Sequence, residues 1–336
     1  MLALFYILIA VLIASTFWQL TNIFNLKQDI ATEEDNDQQG KLMFAFMIGF
    51  YALMIFCFWK YNAVLLPESA SEEGVRYDTL YFWTMGLIIV VQAFMQFFLF
   101  YFAYKYRGVN NRKAFFFADS HKLEMIWTIT PAVVLAGLII YGLSVWIDMT
   151  DPSDLKDPLY IEVYAQQFRW EARYAGTDNQ LGRANVRFIK GINTMGVDMT
   201  DINSADDIPT RELHLPKGRP VIFKFRSQDV LHSAYMPHFR AQMNCVPGMV
   251  TQFAFTPSMT TEEMRMNKHI IAKVENINKI RAEKGEDFYE FNYLLLCNKI
   301  CGASHYNMQM NIIVQEEDEF NKWLAGQQSM TQVLKQ

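Results

Sequence analysis

Cysteine is scarce in this chain: there are four in 336 residues, too few to staple a protein of this length into a disulfide scaffold. No Cys-x-x-Cys-His stretch occurs, which excludes a covalently attached haem c. Basic charge is not in excess either. The formal net charge is -5, and from Asp151 onward 23 acidic residues face 21 basic ones. The basic patch or stripe of a nucleic-acid binder is therefore missing. The opening Met-Leu-Ala-Leu-Phe-Tyr holds no basic residue, so the n-region of a cleavable secretory signal is lacking too.

What the chain has instead is a division into two unlike halves. The mean hydropathy is near zero, but it averages long apolar runs before about residue 148 with a polar remainder. Four stretches approach the roughly 20 apolar residues needed to cross about 30 Å of hydrocarbon: Met1–Leu20, Leu42–Trp59, Leu80–Tyr104 and Met125–Trp146. The third has aromatic ends, Tyr81, Phe82 and Trp83 at one and Tyr101 and Tyr104 at the other, which suit the membrane interface. Lys105, Arg107, Arg112, Lys113 and Lys122 outnumber Asp119 and Glu124 in the loop that follows. The positive-inside rule puts that loop in the cytoplasm. Glu68, Glu72, Glu73 and Asp78, on the other flank, then lie outside, and the fourth span delivers residues 150–336 outside as well. Parity makes Met1–Leu20 a retained span with its start outside. The loop 21–40 is acidic, with Asp29, Glu33, Glu34, Asp35 and Asp37, and the orientation rule gets no help there.

The polar half reads as β structure. Residues 159–164 and 220–226 are short, rich in β-branched and aromatic residues, and bounded by Pro or Gly. Val250–Thr256 alternates as a half-buried strand does. Tyr293–Leu296 and Met310–Val314 flank a loop between them. Such spacing predicts a sandwich or Greek-key barrel. Thr260-Thr-Glu-Glu is a capping signal, and the charged residues after it predict a solvated helical insertion over 260–284.

Chemistry concentrates in the loop between the last two strands: Cys297, Cys301, His305 and Met308. Two thiols, an imidazole and a thioether within twelve residues form a soft donor set suited to copper. The usual zinc spacings answer one Cys pair with a second pair, and none exists here. A Cys-x3-Cys pair alone would fit a thioredoxin-like copper chaperone as well as a structural loop. His at +4 and Met at +7 from Cys301 make chance a poor explanation. Cys57 and Cys245 lie apart and read as inert buried thiols. Upstream, His232 in Asp229-Val-Leu-His-Ser follows a strand and could sit on a fixed edge; alone, it reads more readily as structural. The histidines at 121, 214, 238 and 269 have no such context.

Taken together, Asp229-Val-Leu-His232-Ser, Val246-Pro-Gly and Cys297 through Met308 resemble the dinuclear copper (CuA) site of subunit II of haem–copper cytochrome c oxidase. Leu123-Glu-Met-Ile-Trp-Thr-Ile-Thr-Pro131 resembles the start of that family's second transmembrane helix. The likeness covers about residues 75–315 and leaves two extra spans before it. It implies N-terminal transmembrane α-helices followed by an all-β, cupredoxin-like Greek-key barrel with a helical insertion. The implied segments are 1–66 (two extra helices), 75–148 (a transmembrane hairpin) and 150–325 (the copper domain, periplasmic side of a bacterial inner membrane).

The resemblance further implies residue roles. Cys297 and Cys301 would bridge both coppers, His232 and His305 would bind one each, Met308 would be a weak axial ligand, and the Lys299 carbonyl would complete the set. Electrons would come from cytochrome c or a haem c-bearing subunit and pass to haem in subunit I, alongside other oxidase subunits. Glu124 would be where protons enter, and Phe168 and Trp170 where electrons do. Lys299 stands where the family has Glu, so the family's magnesium ligand is lost, because an ammonium offers no donor to a hard cation. Phe168 replaces a Trp, and Asn244 an Asp, which points to an altered donor surface. A quinol oxidase subunit would have lost the copper ligands. Nitrous oxide reductase needs a further large domain, and a membrane-tethered copper chaperone would not need His305 and Met308.

Overall fold

A computed structural model describes residues 2–25, 32–109, 112–113 and 115–335; Met1 and Asp29, used above, lie outside the described residues. Four helices open the chain: α1 (Leu2–Asn25), α2 (Glu33–Tyr61), α3 (Glu72–Lys105) and α4 (His121–Thr150). Three of them, α2, α3 and α4, are long and apolar enough to cross a membrane. The 24 residues of α1 would reach about 36 Å at 1.5 Å per residue.

The helices outrun their apolar stretches because polar ends are stabilised locally. Part of the expected acidic loop 21–40 is the first turn of α2, where Thr32 and Asp35 form a reciprocal capping box. Glu33, Glu34 and Asp35 there also favour the helix dipole. Cys57 is exposed on α2 rather than buried, a correction with a simple cause: in a membrane helix the outward face meets lipid, and a small apolar thiol is at home there.

The chain falls into two compact units, Met1–Asn62 with Leu87–Ser120, and Ala63–Gly86 with His121–Gln336. In the first, Arg107 on the α3–α4 loop pairs with Asp37 at 2.7 Å, and Tyr51 on α2 donates to the Ala93 carbonyl. In the second, Arg76 on α3 pairs with Asp148 on α4, and this end of the hairpin stands with the β domain.

That domain holds two five-stranded sheets. One contains β1 (Leu159–Gln166), β2 (Arg169–Tyr174), β3 (Ile208–Thr210), β5 (Val221–Ser227) and β8 (Thr251–Phe255) in the order β3-β2-β1-β5-β8, where β4 is Leu213–Pro216. The other runs β4-β10-β9-β6-β7, with β6 (His232–Met236), β7 (Ala241–Cys245), β9 (Tyr293–Cys297) and β10 (Gln309–Gln315). The pairs β1/β5 and β4/β10 are parallel. Apolar side chains of both sheets, among them Val163, Phe223, Phe225 and Phe255 against Leu215, Tyr293, Leu295 and Ile312, form one buried core. The fold is the expected membrane-helical start followed by a cupredoxin-like β domain. Two helices, α5 (Thr261–Arg265) and α6 (Lys268–Glu283), interrupt it, and the Thr260–Glu263 capping box forms as the sequence indicates. Two more, α7 (Glu317–Ala325) and α8 (Met330–Val333), close the chain.

Two features fasten the parts of the domain to one another. On the outer face of the first sheet, buried Glu162 accepts from Arg173 at 2.7 Å and from Arg226. Burial would raise that carboxyl, but the two guanidinium groups outweigh it and hold it below its usual range. Arg173 also reaches Asp207 and the Gly182 carbonyl, so the long 176–207 segment is tied to the sheet. The second feature is a seam. Ala70 N–H donates to the His238 carbonyl, Glu72 N–H to the Thr256 carbonyl, and Ser258 N–H to the Ala70 carbonyl. The chain just before α3 is thereby stitched into the barrel. Arg240, at the turn between β6 and β7, locks the seam. Its guanidinium donates to both oxygens of Asp78, at 2.7 and 2.8 Å, and to the Pro67 and Pro237 carbonyls.

Candidate metal centre

Three chain segments meet at one end of the barrel. The first is the start of β6. His232 opens this strand rather than following one directly, as its sequence context had indicated; the turn 228–231 separates it from β5. Ladder pairing of His232 with Cys245 and of Ala234 with Cys297 holds its backbone between two neighbouring strands, and its ring is fully buried. The second segment is the loop from β9 to β10. Cys297 is the last residue of β9, and its N–H donates to the Met308 carbonyl. That bond closes the loop on itself, so Cys297, Cys301, His305 and Met308 converge. The third is the β1–β2 turn, which presses Gln167 and Phe168 against the loop.

The donor atoms are close enough to share metal. Cys297 Sγ lies 3.8 Å from Cys301 Sγ, far beyond the ~2.05 Å of a disulfide. Two thiolates so spaced can reach common ions at the ~2.3 Å typical of a metal–thiolate bond. Cys297 Sγ is 3.8 Å from His232 Nδ1 and 3.2 Å from the Lys299 carbonyl oxygen. Cys301 Sγ is 3.6 Å from His305 Nδ1 and 3.8 Å from Met308 Sδ. Each sulfur thus has its own imidazole and one weaker donor. The ligand atoms of His232, Cys297 and Cys301 all lie within 4.8 Å of one another. Burial, and then the neighbouring Cys297 thiol, push the Cys301 thiol up to about 11. A metal entering here must therefore displace a proton.

The surroundings orient these ligands. Asp229 Oδ1 sits 2.8 Å from His232 Nε2, leaving Nδ1 to face the sulfurs. A carboxylate behind a ligating imidazole fixes its tautomer and raises its basicity. Burial works to raise the Asp229 carboxyl, but hydrogen bonds from the Gln167 N–H, from His232 and from the Val230 N–H prevail and keep it below its usual range. Gln167 links two segments: its N–H donates to Asp229 Oδ2 at 2.7 Å, and its Nε2 to the Cys301 carbonyl. Sequence reasoning missed both roles, although Asp229 stands three residues before His232 and that short reach was the available signal.

Trp170 is buried under the loop. Its Nε1 donates to the Met308 carbonyl at 3.4 Å, and its ring lies 6.2 Å from that of His232. Phe168 is half-buried against Gly302, where a Cβ would come within 2.8 Å of the phenyl ring. Gly302 also has φ +140, so backbone freedom and space both require glycine there. Cys245 is buried, its thiol pushed up to about 12 by burial, which bears out the inert reading for this cysteine. Glu124 is not part of the cluster. It occupies the first turn of α4, with Oε2 3.5 Å from His121 Nδ1.

Residues 58–145 match the family model described as cytochrome c oxidase subunit II, transmembrane domain. The alternative cytochrome c oxidase subunit 2 of Bradyrhizobium diazoefficiens is 32% identical over 288 residues, an alignment covering 84% of this chain and 89% of that protein. Cytochrome c oxidase subunit 2 of Synechocystis is 21% identical, over 83% of this chain and 81% of that one. Among solved structures, the periplasmic domain of subunit II of cytochrome oxidase from Bradyrhizobium japonicum aligns with 51% of this chain and 93% of its own, at 18% identity and a TM-score of 0.30. With a relative of this identity matched nearly end to end, the chain belongs to the cytochrome c oxidase subunit II family.

Proposed function

We propose that this subunit receives electrons at a dinuclear copper centre held by Cys297, Cys301, His232, His305, Met308 and the Lys299 carbonyl. From there they pass to haem in subunit I, where oxygen is reduced to water with proton translocation. The observation that carries this reading is the pair of sulfurs 3.8 Å apart, each with a separate imidazole Nδ1 at 3.8 or 3.6 Å. A single-metal site would bring both imidazoles to one ion. When bound, copper supplies a redox couple whose charge is spread through the thiolates.

The chain's own part is positional. Asp229 holds the His232 ring, and the β9 ladder holds Cys297. The Cys297 N–H to Met308 carbonyl bond closes the loop, and Trp170 and the apolar core exclude water behind it. Rigid donors keep the geometry alike in both redox states, which keeps reorganisation small. A membrane-tethered copper chaperone is the other reading, and it has no use for an imidazole and a thioether both set at Cys301.

Loop charge supports the orientation: the basic 105–122 loop cytoplasmic and residues 150–325 on the periplasmic side of a bacterial inner membrane. On this reading 1–66 supply two extra spans, α1 among them, and 75–148 the hairpin. Glu124 then lies at the cytoplasmic edge and serves proton uptake, while Phe168 and Trp170 line the electron path. The donor is cytochrome c or a haem c-bearing subunit.

Copper analysis and electron-paramagnetic spectroscopy of the purified oxidase test the centre. Two coppers per copy of this subunit, with one unpaired electron coupled to both nuclei, are expected. One copper, or the spectrum of an isolated Cu(II), overturns it. For Glu124, the expected result of Glu124→Ala is slowed oxygen consumption with copper content and electron input unchanged.

A further inference from the structure

We propose that the loop between α3 and α4 anchors the chain to the membrane surface. The stacked rings of Phe115 and Phe117 enter the headgroup–acyl boundary of a phospholipid bilayer, and Lys105, Arg112 and Lys113 meet its phosphates. Neither contact involves the copper centre.

The end of α3 fixes the level of the loop. Its apolar run closes at Tyr104, and Lys105 is the last residue of the helix. Lys105 Nζ lies 5.4 Å from the centre of the Tyr101 ring and 5.5 Å from that of Tyr106. The Arg107 guanidinium lies over the Tyr104 ring at 4.5 Å. Tyrosines interleaved with cations are the side chains of an interfacial belt. The chain then turns back to this level instead of running on into water. Arg112 N–H donates to the Val109 carbonyl at 3.3 Å, and the Arg112 guanidinium donates to the Lys105 carbonyl. Phe115 follows three residues later, within about 11 Å of Arg112. The interfacial zone beside the hydrocarbon is itself about 5–8 Å deep, so the phenyl ring has it in reach. Phe115 and Phe116 are each 88% exposed and Phe117 62%. The rings of Phe115 and Phe117 are stacked, with centroids 6.3 Å apart and planes 24° from parallel, which gives the pair one joint apolar edge. Phenylalanine lacks the polar handle of Tyr or Trp, so water and headgroups do not satisfy it and hydrocarbon does.

The charges identify the occupant. Two segments of this unit meet at the edge, the start of α2 (residues 33–41) and the loop (residues 105–120). Together they hold five acids and five bases, so their heights decide what a bilayer meets. Asp37 is taken by Lys41 at 2.5 Å and by Arg107 at 2.7 Å, and Asp35 by the Thr32 capping box. Gly40 is level with Tyr104, against which it packs. Glu33 and Glu34 precede Gly40 by six residues or more, which is about 9 Å of helix rise or beyond, toward water. That exceeds the Debye length of about 8 Å at physiological salt, so these acids do not cancel the bases at the edge. Among the described residues no ion pair involves Lys105, Arg112 or Lys113. Cations at this level attract lipid phosphate. Apolar rings beside a row of cations match an amphiphile, acyl chain below and phosphate above.

The test uses the assembled oxidase in bilayer nanodiscs of mixed phosphatidylcholine and phosphatidylglycerol, with Cys57→Ala removing the exposed thiol of α2. Phe115→Cys, Phe117→Cys and, as the reference in water, Glu34→Cys are each labelled with a nitroxide. Electron-paramagnetic power saturation then measures collisions of the label with molecular oxygen, which dissolves in hydrocarbon, and with a water-soluble nickel chelate. At 115 and 117 the oxygen-to-nickel collision ratio should exceed that at 34 about tenfold, because the two probes partition oppositely. A second variant separates insertion from mere nearness to the bilayer. Phe117→Asp, combined with the label at 115, should raise nickel collisions there about fivefold, since a carboxylate is costly to bury; no change would overturn the wedge. Frequent nickel collisions at both 115 and 117 overturn the proposal, because the rings then stand in water. Low rates with both probes overturn it as well, because a neighbouring subunit then covers the loop. The copper spectrum of each variant is recorded to show that the oxidase has assembled.

Discussion

The hairpin β6–β7 is built by opposite rules at its two ends. At its open end His232 is fully buried beside soft, largely neutral donors. At its turn, Arg240 makes four charged or polar hydrogen bonds, and its side chain is only 4% exposed. Among the described residues, Arg240 is also one of three non-glycine residues with positive φ, at +54. The left-handed conformation costs about 1–2 kcal/mol there, and the fork of bonds to Asp78 and two carbonyls offsets it. One end gathers soft donors around a buried imidazole; the other hides charge to fix the barrel on the start of α3. The lesson is that the copper end is specified by chemistry and the seam by geometry, so each breaks in its own way.

Cys301→Ser should have the largest effect. Removing one of the paired sulfurs abolishes the spectrum with the electron shared over two coppers, and a spectrum that survives would refute the bridging role. Asp78→Asn comes next. It leaves the buried Arg240 guanidinium with neutral partners only and should cost about 2–3 kcal/mol in thermal unfolding. That is less than the loss for a fully buried pair, because Asp78 is 33% exposed and partly screened. Arg240→Gly should be milder than Arg240→Ala by about 1 kcal/mol, since glycine relieves the left-handed strain. None of these three changes should alter the copper spectrum; one that did would dissolve the contrast between the two ends.

Asp229→Ala should weaken copper binding about 10–100-fold, read by competition with a chelator, and should also lower thermal stability without metal, because the Gln167 and Val230 N–H groups and His232 lose their acceptor. Smallest is Met308→Leu: the dinuclear spectrum stays, the potential shifts and electron exchange slows, because a thioether is a weak axial ligand. Copper loss as complete as in Cys301→Ser would contradict that division of labour.

How much of this was legible in the sequence follows from where each partner lies along the chain. Cys297, Cys301, His305 and Met308 fall within twelve residues, so spacing alone points to a donor set. His232 is 65 residues away, and only the resemblance joined it to them. Strands β1, β5, β8, β9 and β10 were readable from composition, although β8 buries its last three residues together instead of alternating. Strands β2, β6 and β7 went unread, as did the short β3 and β4. Both carry proline, and β4 pairs in parallel with β10, almost a hundred residues on, a partnership no local pattern reveals. The helical insertion divides at Met266 into α5 and α6 where a single helix was expected, because Asn267 starts a new cap through its side chain and the His269 N–H. The seam was invisible for a different reason. It joins residues far apart in the chain, through backbone bonds that any side chains permit and through Arg240, whose partner Asp78 lies 162 residues away.

That seam changes what counts as the edge of the β domain. A fragment cut after α4 would leave behind the residues that finish its wall. The His238 carbonyl would lose the Ala70 N–H, the Phe239 carbonyl the Ser71 hydroxyl, the Thr256 N–H the Glu73 carboxylate, and Arg240 both oxygens of Asp78. Excised in this way, the barrel resembles a jar without its lid. A synthetic peptide spanning residues 66–78, supplied in trans, is the natural piece to close it.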